Sequence, residues 1–229
     1  MTHRSHRGDL SPADAIALQR DLAARVSLEP LDLASLRLVA GVDVSSAWRG
    51  RTLWAAAVVC RWPDLEVVAT ATARCEATFP YVPGLLSFRE APVILVALGR
   101  LAVRPDAILV DGQGLAHPRR FGLACHLGVL LDLPSVGVGK TRLVGEHREP
   151  GPRRGASVRL VDRGDVVGRV LRTRGGVKPL FVSPGHRIDL DGAARLVLRC
   201  ARGVRQPEPT RRAHQAANAA RRADVGSSS

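Results

Sequence analysis

The stretch Ala107-Ile108-Leu109-Val110-Asp111-Gly112-Gln113-Gly114-Leu115-Ala116-His117-Pro118-Arg119-Arg120 decides how the chain reads. Residues 107–110 have the length and composition of a buried strand. Asp111 closes that strand, and Gly112 and Gly114 let the backbone turn tightly or approach a ligand. His117, Arg119 and Arg120 follow as an apolar helical pattern begins. An acid at the carboxyl end of a buried strand, followed by glycines and bases, sits where open α/β sheets bind ligands. The stretch alone reads equally well as a capped turn. The flanking sequence decides between the two.

Working outward, residues 119–131 read as a buried helix ended by Pro134, and residues 135–139 as a short strand that delivers Lys140. Upstream, residues 85–101 read as a helix carrying Glu90, its regular part starting near Arg89 because Pro92 follows. Residues 79–84, Phe-Pro-Tyr-Val-Pro-Gly, are a stiff loop with Tyr81 held between prolines. Residues 36–44 form a strand with Asp43 near its end. Residues 53–61 and 65–73 form a hairpin about Pro63-Asp64. Its imperfect alternation suits a sheet covered on both faces. At the N-terminus Ser11 caps a helix with Pro12 in the first position and Asp14 completing the cap.

Beyond Lys140 the pattern is less regular. Residues 147–155 read as an exposed basic loop, and residues 156–161 and 166–172 as a hairpin about Arg163-Gly164. Residues 178–186 read as a short apolar strand ending in a Ser183-Pro184-Gly185-His186 turn. Asp189 or Asp191 caps a helix to Cys200, and Glu208 starts a last helix carrying His214. The order is β-β-β-α-β-α-β with a smaller extension. Short linkers argue for one α/β domain over residues 11–222. Residues 1–10, a basic tail, and residues 223–229 are expected to be disordered.

Composition narrows the function. The chain has 229 residues, 45% of them hydrophobic, enough for a sizeable core. No apolar run is long enough to span a bilayer, and the polar, basic start is no signal peptide. Cys60, Cys75, Cys125 and Cys200 form no Cys-x-x-Cys pair, which argues against zinc and for reduced thiols in a cytoplasmic protein. The net charge of +13 points to a polyanionic partner, most simply nucleic acid. Of the 34 basic residues, all but Lys140 and Lys178 are arginine. Two lysines kept in so arginine-rich a chain suggest a need for a compact ammonium. Gly139-Lys140-Thr141 resembles the end of a P-loop, but Pro134 stands where its first glycine belongs. No complete Gly-x-Gly-x-x-Gly is present either.

The acids carry the chemistry. If the strands bearing Asp43 and Asp111 are neighbours, both acids and Glu90 converge at one sheet edge. Converging carboxylates repel unless a cation neutralises them. Oxygen ligands with water in the remaining positions suit magnesium, with manganese as a substitute. Such a site activates water and stabilises the leaving oxygen of a phosphodiester. Lys140, at the same edge, is placed to meet the scissile phosphate. His117 and His214 are ambiguous by themselves.

Three segments together resemble the endonuclease V family: residues 80–90, with Pro80-Tyr81-Val82-Pro83-Gly84-Leu85-Leu86 and Phe88-Arg89-Glu90; residues 111–120; and Gly137-Val138-Gly139-Lys140. Leu171-Arg172-Thr173, Lys178-Pro179 with residues 181–186, and residues 207–211 agree. The resemblance covers most of residues 11–218. It implies a ribonuclease H-like mixed sheet flanked by helices, and a magnesium-dependent endonuclease that recognises hypoxanthine in deaminated DNA. Such an enzyme cuts the second phosphodiester bond on the 3′ side of the lesion. Carried over, Asp43, Glu90 and Asp111 match the metal-binding acids and Lys140 the catalytic lysine. His214 falls where the family places an acid or a histidine near the metal. Pro80, Tyr81, Val82 and Pro83 match the wedge that enters the helix beside the lesion. Gly84, Leu86, Gly112, Gly114 and Leu143 fall at the base pocket, while His117, Arg119 and Arg120 are candidates for nucleic-acid contact. Val82, Gly139 and Ser45-Ser46 depart mildly from the family pattern and remove no group needed for hydrolysis. The expectation is a monomeric DNA repair endonuclease. The alternatives are inosine-containing RNA as substrate and a binder without catalysis, the latter opposed by the intact Asp43, Glu90, Asp111 and Lys140.

Overall fold

The computed structural model describes residues 10–47 and 50–226. The elements are α1 (Pro12–Ala23), β1 (Leu38–Ser46), β2 (Thr52–Arg61), β3 (Val67–Glu76), α2 (Leu86–Gly99), β4 (Ala107–Val110), α3 (Leu123–Leu131), β5 (Ser135–Gly139), β6 (Ser157–Asp162), β7 (Asp165–Leu171), β8 (Leu180–His186), α4 (Leu190–Cys200) and α5 (Glu208–Gly226). All eight strands join one sheet in the order β3-β2-β1-β4-β5-β8-β7-β6. Neighbours pair in parallel only at β1–β4 and β4–β5, and every other pair is antiparallel. The expected mixed sheet and the neighbouring of the Asp43 and Asp111 strands are both present.

Helices cover both faces. Ala91, Val93, Ile94 and Ala97 of α2 and Leu123, Ala124 and Leu127 of α3 pack with Ala40, Val42, Ile108 and Val110. On the other face α4 and Ala213 of α5 pack with Val39, Leu109, Val136 and Val182. Burial on this scale is the main term holding the layers together. The coverage expected of the hairpin holds for β2, which is buried along almost its whole length. It does not hold for β3, an edge strand that is largely exposed.

Several boundaries differ from expectation, each for a local reason. The first strand runs to Ser46 because β2 pairs with it along the whole length. Likewise β3 continues to Glu76 along β2. Helix α2 begins at Leu86, so Pro92 lies in its interior; packing against the sheet offsets the one lost backbone bond. Helix α3 begins at Leu123 rather than at residue 119, because Arg120 adopts φ 56°. Before it the chain folds over β8, with the Gly114 N–H donating to Ser183 Oγ (2.8 Å) and the Leu115 N–H to the Pro184 carbonyl (2.8 Å). Ser183-Pro184-Gly185-His186 is strand, not turn. The β7 ladder ends at Val182, so the missing Pro184 N–H deprives no β7 carbonyl of a donor. Helix α5 continues to Gly226 instead of fraying at residue 223, and Arg74 anchors it through Asp224 (2.9 Å). The expected tails otherwise fall on residues 1–9 and 227–229, outside the described residues. Ser11 caps α1 and Asp189 caps α4, as read. Arg163 (φ 53°) and Gly164 (φ 87°) make the hairpin turn between β6 and β7.

Candidate active site

The site begins with strand alternation. Val39 and Leu109 face α4 and α5, whereas Ala40, Val42, Ile108 and Val110 face α2 and α3. By the same period of two, Asp43 and Asp111 point to the α5 side. Val42 pairs with Val110, so the two acids are adjacent. Gly41 also faces α5. A Cβ there would stand 2.1 Å from the Pro209 carbonyl carbon, so only glycine lets α5 lie this close on β1. That contact carries His214 to the strand end, with its Nδ1 2.6 Å from Asp43 Oδ2.

Donor atoms of Asp43, Asp111 and His214 all lie within 4.8 Å of one another. Lys140, delivered by β5, forms an ion pair with Asp111. Glu90 stands outside this group. It belongs to α2 and approaches the edge from the opposite face of the sheet. Burial still pushes its carboxyl up to about 8, with the charges of Asp43 and Asp111 adding. Burial, then Asp111, also holds Asp43 above its ordinary value, against the pull of the His214 hydrogen bond and of Lys140. Buried acids raised in this way favour a bound cation. Two carboxylates with an imidazole beside them fit a hard divalent ion, the histidine orienting Asp43 or adding a donor.

Some supporting residues left little trace in the sequence. Asn218, one turn after His214, places its amide nitrogen 3.1 Å from His214 Nε2 and accepts from Ser45 Oγ (2.8 Å). The (i, i+4) spacing of His214 and Asn218 was the available signal. Gln113 donates to the Thr141 carbonyl (3.1 Å), tying the Asp111 loop to the Lys140 loop. Gly137 makes room, since a Cβ there would stand 2.3 Å from the Gly114 nitrogen. Gly114 is itself packed, because its Cβ would stand 2.1 Å from the Pro184 carbonyl oxygen.

The loop before α2 flanks the acids. Tyr81 is 70% exposed, with exposed Pro80 and Pro83 on either side. Val82 anchors the loop on Phe79, Leu85 and Phe88. Gly84 turns at φ 78°. Its carbonyl accepts from Arg119 Nη2 (2.6 Å) and Gln19 Nε2 (3.2 Å). Leu86 and Leu143 expose apolar surface, while a Cβ at Gly112 would meet Leu123 at 3.7 Å, in ordinary contact. His117 is buried and accepts from the Arg119 N–H at Nδ1 (3.2 Å). Burial drives its pKa down to about 4, with Arg119 assisting, against a hydrogen bond to Gly84. Arg120 pairs with Asp162 (2.6 Å) and Asp165 (3.2 Å). Both arginines thus have internal partners.

A family profile described as Endonuclease V matches residues 20–215. The chain belongs to the endonuclease V family. Endonuclease V of Alkalilimnicola ehrlichii is 50% identical over 93% of this chain and 94% of its own length. The crystal structure of endonuclease V from Streptomyces avermitilis is similar at TM-score 0.90, with 47% identity over 94% of this chain and 95% of that one. Ciona intestinalis endonuclease V, solved with a 24mer DNA containing an inosine followed by a ribo-adenosine, is similar at TM-score 0.80, with 26% identity over 92% of this chain and 97% of that one. As an endonuclease V, the chain is a metal-dependent nuclease with a ribonuclease H-like fold.

Proposed function

We propose that this endonuclease V cuts DNA at hypoxanthine, hydrolysing the second phosphodiester bond 3′ to the lesion with magnesium. The observation that carries the reading is the meeting of Asp43, Asp111 and His214 beside the Lys140 ammonium at one sheet edge. Asp43, Asp111 and Glu90 would hold the ion, with manganese as a substitute. When bound, the ion supplies Lewis acidity and lowers the pKa of water. The residues of the chain do the rest. His214 fixes the rotamer of Asp43, and Asn218 fixes His214. Lys140 opposes charge that develops on the phosphate, and a preorganised cation of this kind is worth several kcal/mol in a partly desolvated site.

Lesion recognition rests on the loop before α2. Displacing a base costs a few kcal/mol, least where pairing is weak as in inosine. Tyr81, braced by Pro80, Val82 and Pro83, presents an exposed ring to fill the vacated stack. Gly84, Leu86, Gly112, Gly114 and Leu143 surround the place of the displaced base. Arg119 and His117 serve this pocket by holding the Gly84 turn. Arg120 secures the β6–β7 hairpin. We infer action as a monomer, since Asp43, Asp111, Lys140 and His214 of a single chain complete the set of groups the reaction needs. No helix among the described residues is long and apolar enough to cross a membrane, and the four cysteines are unpaired, which suits action in the cytoplasm.

The test is cleavage of strands carrying one inosine, as duplex DNA and as single-stranded RNA, with magnesium or chelator. Stronger magnesium-dependent cutting of the DNA supports the reading. Stronger cutting of the RNA transfers the same site to an RNA substrate.

A further inference from the structure

Lys178 is the second retained lysine, and the catalytic reading leaves it unused. It lies just before β8, the strand next to β5, so Asp43, Asp111, Lys140 and Lys178 follow one another along the same end of the sheet, at the ends of β1, β4, β5 and β8. A cleft of about 600 Å³ opens there, lined among others by Lys140, Arg142, His147, Lys178 and Phe181. One guanidinium ties its walls together. Arg205 donates to the carbonyls of Lys140 (2.9 Å), Lys178 (2.8 Å) and Pro179 (2.9 Å). The Thr173 hydroxyl holds the Arg205 carbonyl in turn (2.5 Å). Both lysines of the chain therefore hang from one brace.

The charges in this cleft are not equally committed. Glu149 is taken by Arg172, and Lys140 by Asp111. Lys178 and Arg142 are exposed, and no side-chain hydrogen bond or ion pair engages either among the described residues. The ring of Phe181 lies on the cleft wall, edge-on to His147 at 5.4 Å. Free cations around an aromatic ring are the composition of a groove that follows a single nucleic-acid strand. The opening beside Tyr81, by contrast, lies on the β1–β2 side of the acids, lined by Ser46, Ala47, Phe79 and Tyr81. The two openings flank the metal site from opposite sides.

We propose that the Lys178 cleft is a phosphate-binding subsite for the substrate strand beyond the cut bond, on the side of the acids away from the Tyr81 loop. Lys178 and Arg142 take successive backbone phosphates, and Arg205 is the positioning residue that sets the spacing of Lys178 from Lys140. The subsite rests on the proposed cutting function for its polarity along the strand.

Binding in the absence of metal tests it. Affinity is measured against salt concentration for inosine strands extending one to five nucleotides past the cut position, and for the same strands without inosine. The wild-type protein gains affinity as the extension lengthens. Lys178→Gln loses that gain, and its salt slope falls by about 0.7, the value for one phosphate on a single strand. Lys178→Arg restores the slope. A Lys178→Gln protein with wild-type slope and length dependence overturns the subsite. Equal affinity for strands with and without inosine overturns the lesion reading instead, and leaves the effect of Lys178 readable.

Discussion

At the scale of single residues, the active site is a balance of buried charge. Burial, with the charges of Asp43 and Asp111 adding, pushes the Glu90 carboxyl up to about 8. Its folded pKa lies above the ordinary value. Its contribution to stability is therefore complete below about 4.5 and is lost as the pH rises through 8. A divalent ion favours the ionised carboxylates, so magnesium binding should release protons and tighten as the pH rises toward 8. Calorimetric titration in two buffers of different ionisation enthalpy measures that release; a proton count of zero at pH 7 would place Glu90 outside the metal site. Lys140→Gln should lower kcat by about 10²–10³-fold, the cost of removing one preorganised electrostatic partner. Asp43→Ala or Asp111→Ala should abolish cutting while lesion binding persists, read by binding and cleavage on the same strands. His117 carries the opposite sign from Glu90. Its pKa is depressed to about 4, so the stability it lends is present above 6.5 and is lost as the pH falls from there toward 4. Denaturant midpoints at pH 7 and pH 5 should differ more in the wild-type protein than in His117→Gln.

At the scale of elements, one close contact sets the catalytic geometry. Helix α5 lies close on β1 over Gly41, and that approach helps place His214 on Asp43. Gly41→Ala should cost about 1–3 kcal/mol by overpacking and should lower kcat by displacing His214, measured by denaturant unfolding and single-turnover cutting. An unchanged kcat would mean that α5 shifts without carrying the histidine away. This level also shows what the sequence made legible. The buried strand ending in Asp111, and Ser135–Gly139 delivering Lys140, were readable because each short apolar run ends at a charged residue. The period of two that sets Asp43 and Asp111 toward α5 was equally present, but which helix lies on which face follows from topology, not local pattern. Hence Glu90 reads as an equal member of the acid trio, whereas it approaches from the other side. The Ser183-Pro184-Gly185-His186 strand was hidden because turn-forming residues are tolerated where only one neighbour pairs. The start of α3 was hidden because the left-handed Arg120 has no sequence mark.

At the scale of the whole molecule, charge and architecture act together. A net charge of +13 makes nucleic-acid affinity strongly salt-dependent. The sheet edge orders the chemistry, with the Tyr81 loop on one side, the acids in the middle and the Lys178 cleft on the other. Binding to inosine strands should therefore weaken steeply with salt, while the preference for inosine over adenine changes little, because phosphates supply affinity and the pocket supplies selection. Competition binding at two salt concentrations separates these terms. The most direct measurement is mapping of the cut in end-labelled duplex DNA carrying one inosine. The account predicts a single nick at the second phosphodiester 3′ to the inosine, present with magnesium, absent with chelator and absent in Asp111→Ala. A nick that persists in chelator or in Asp111→Ala would contradict it.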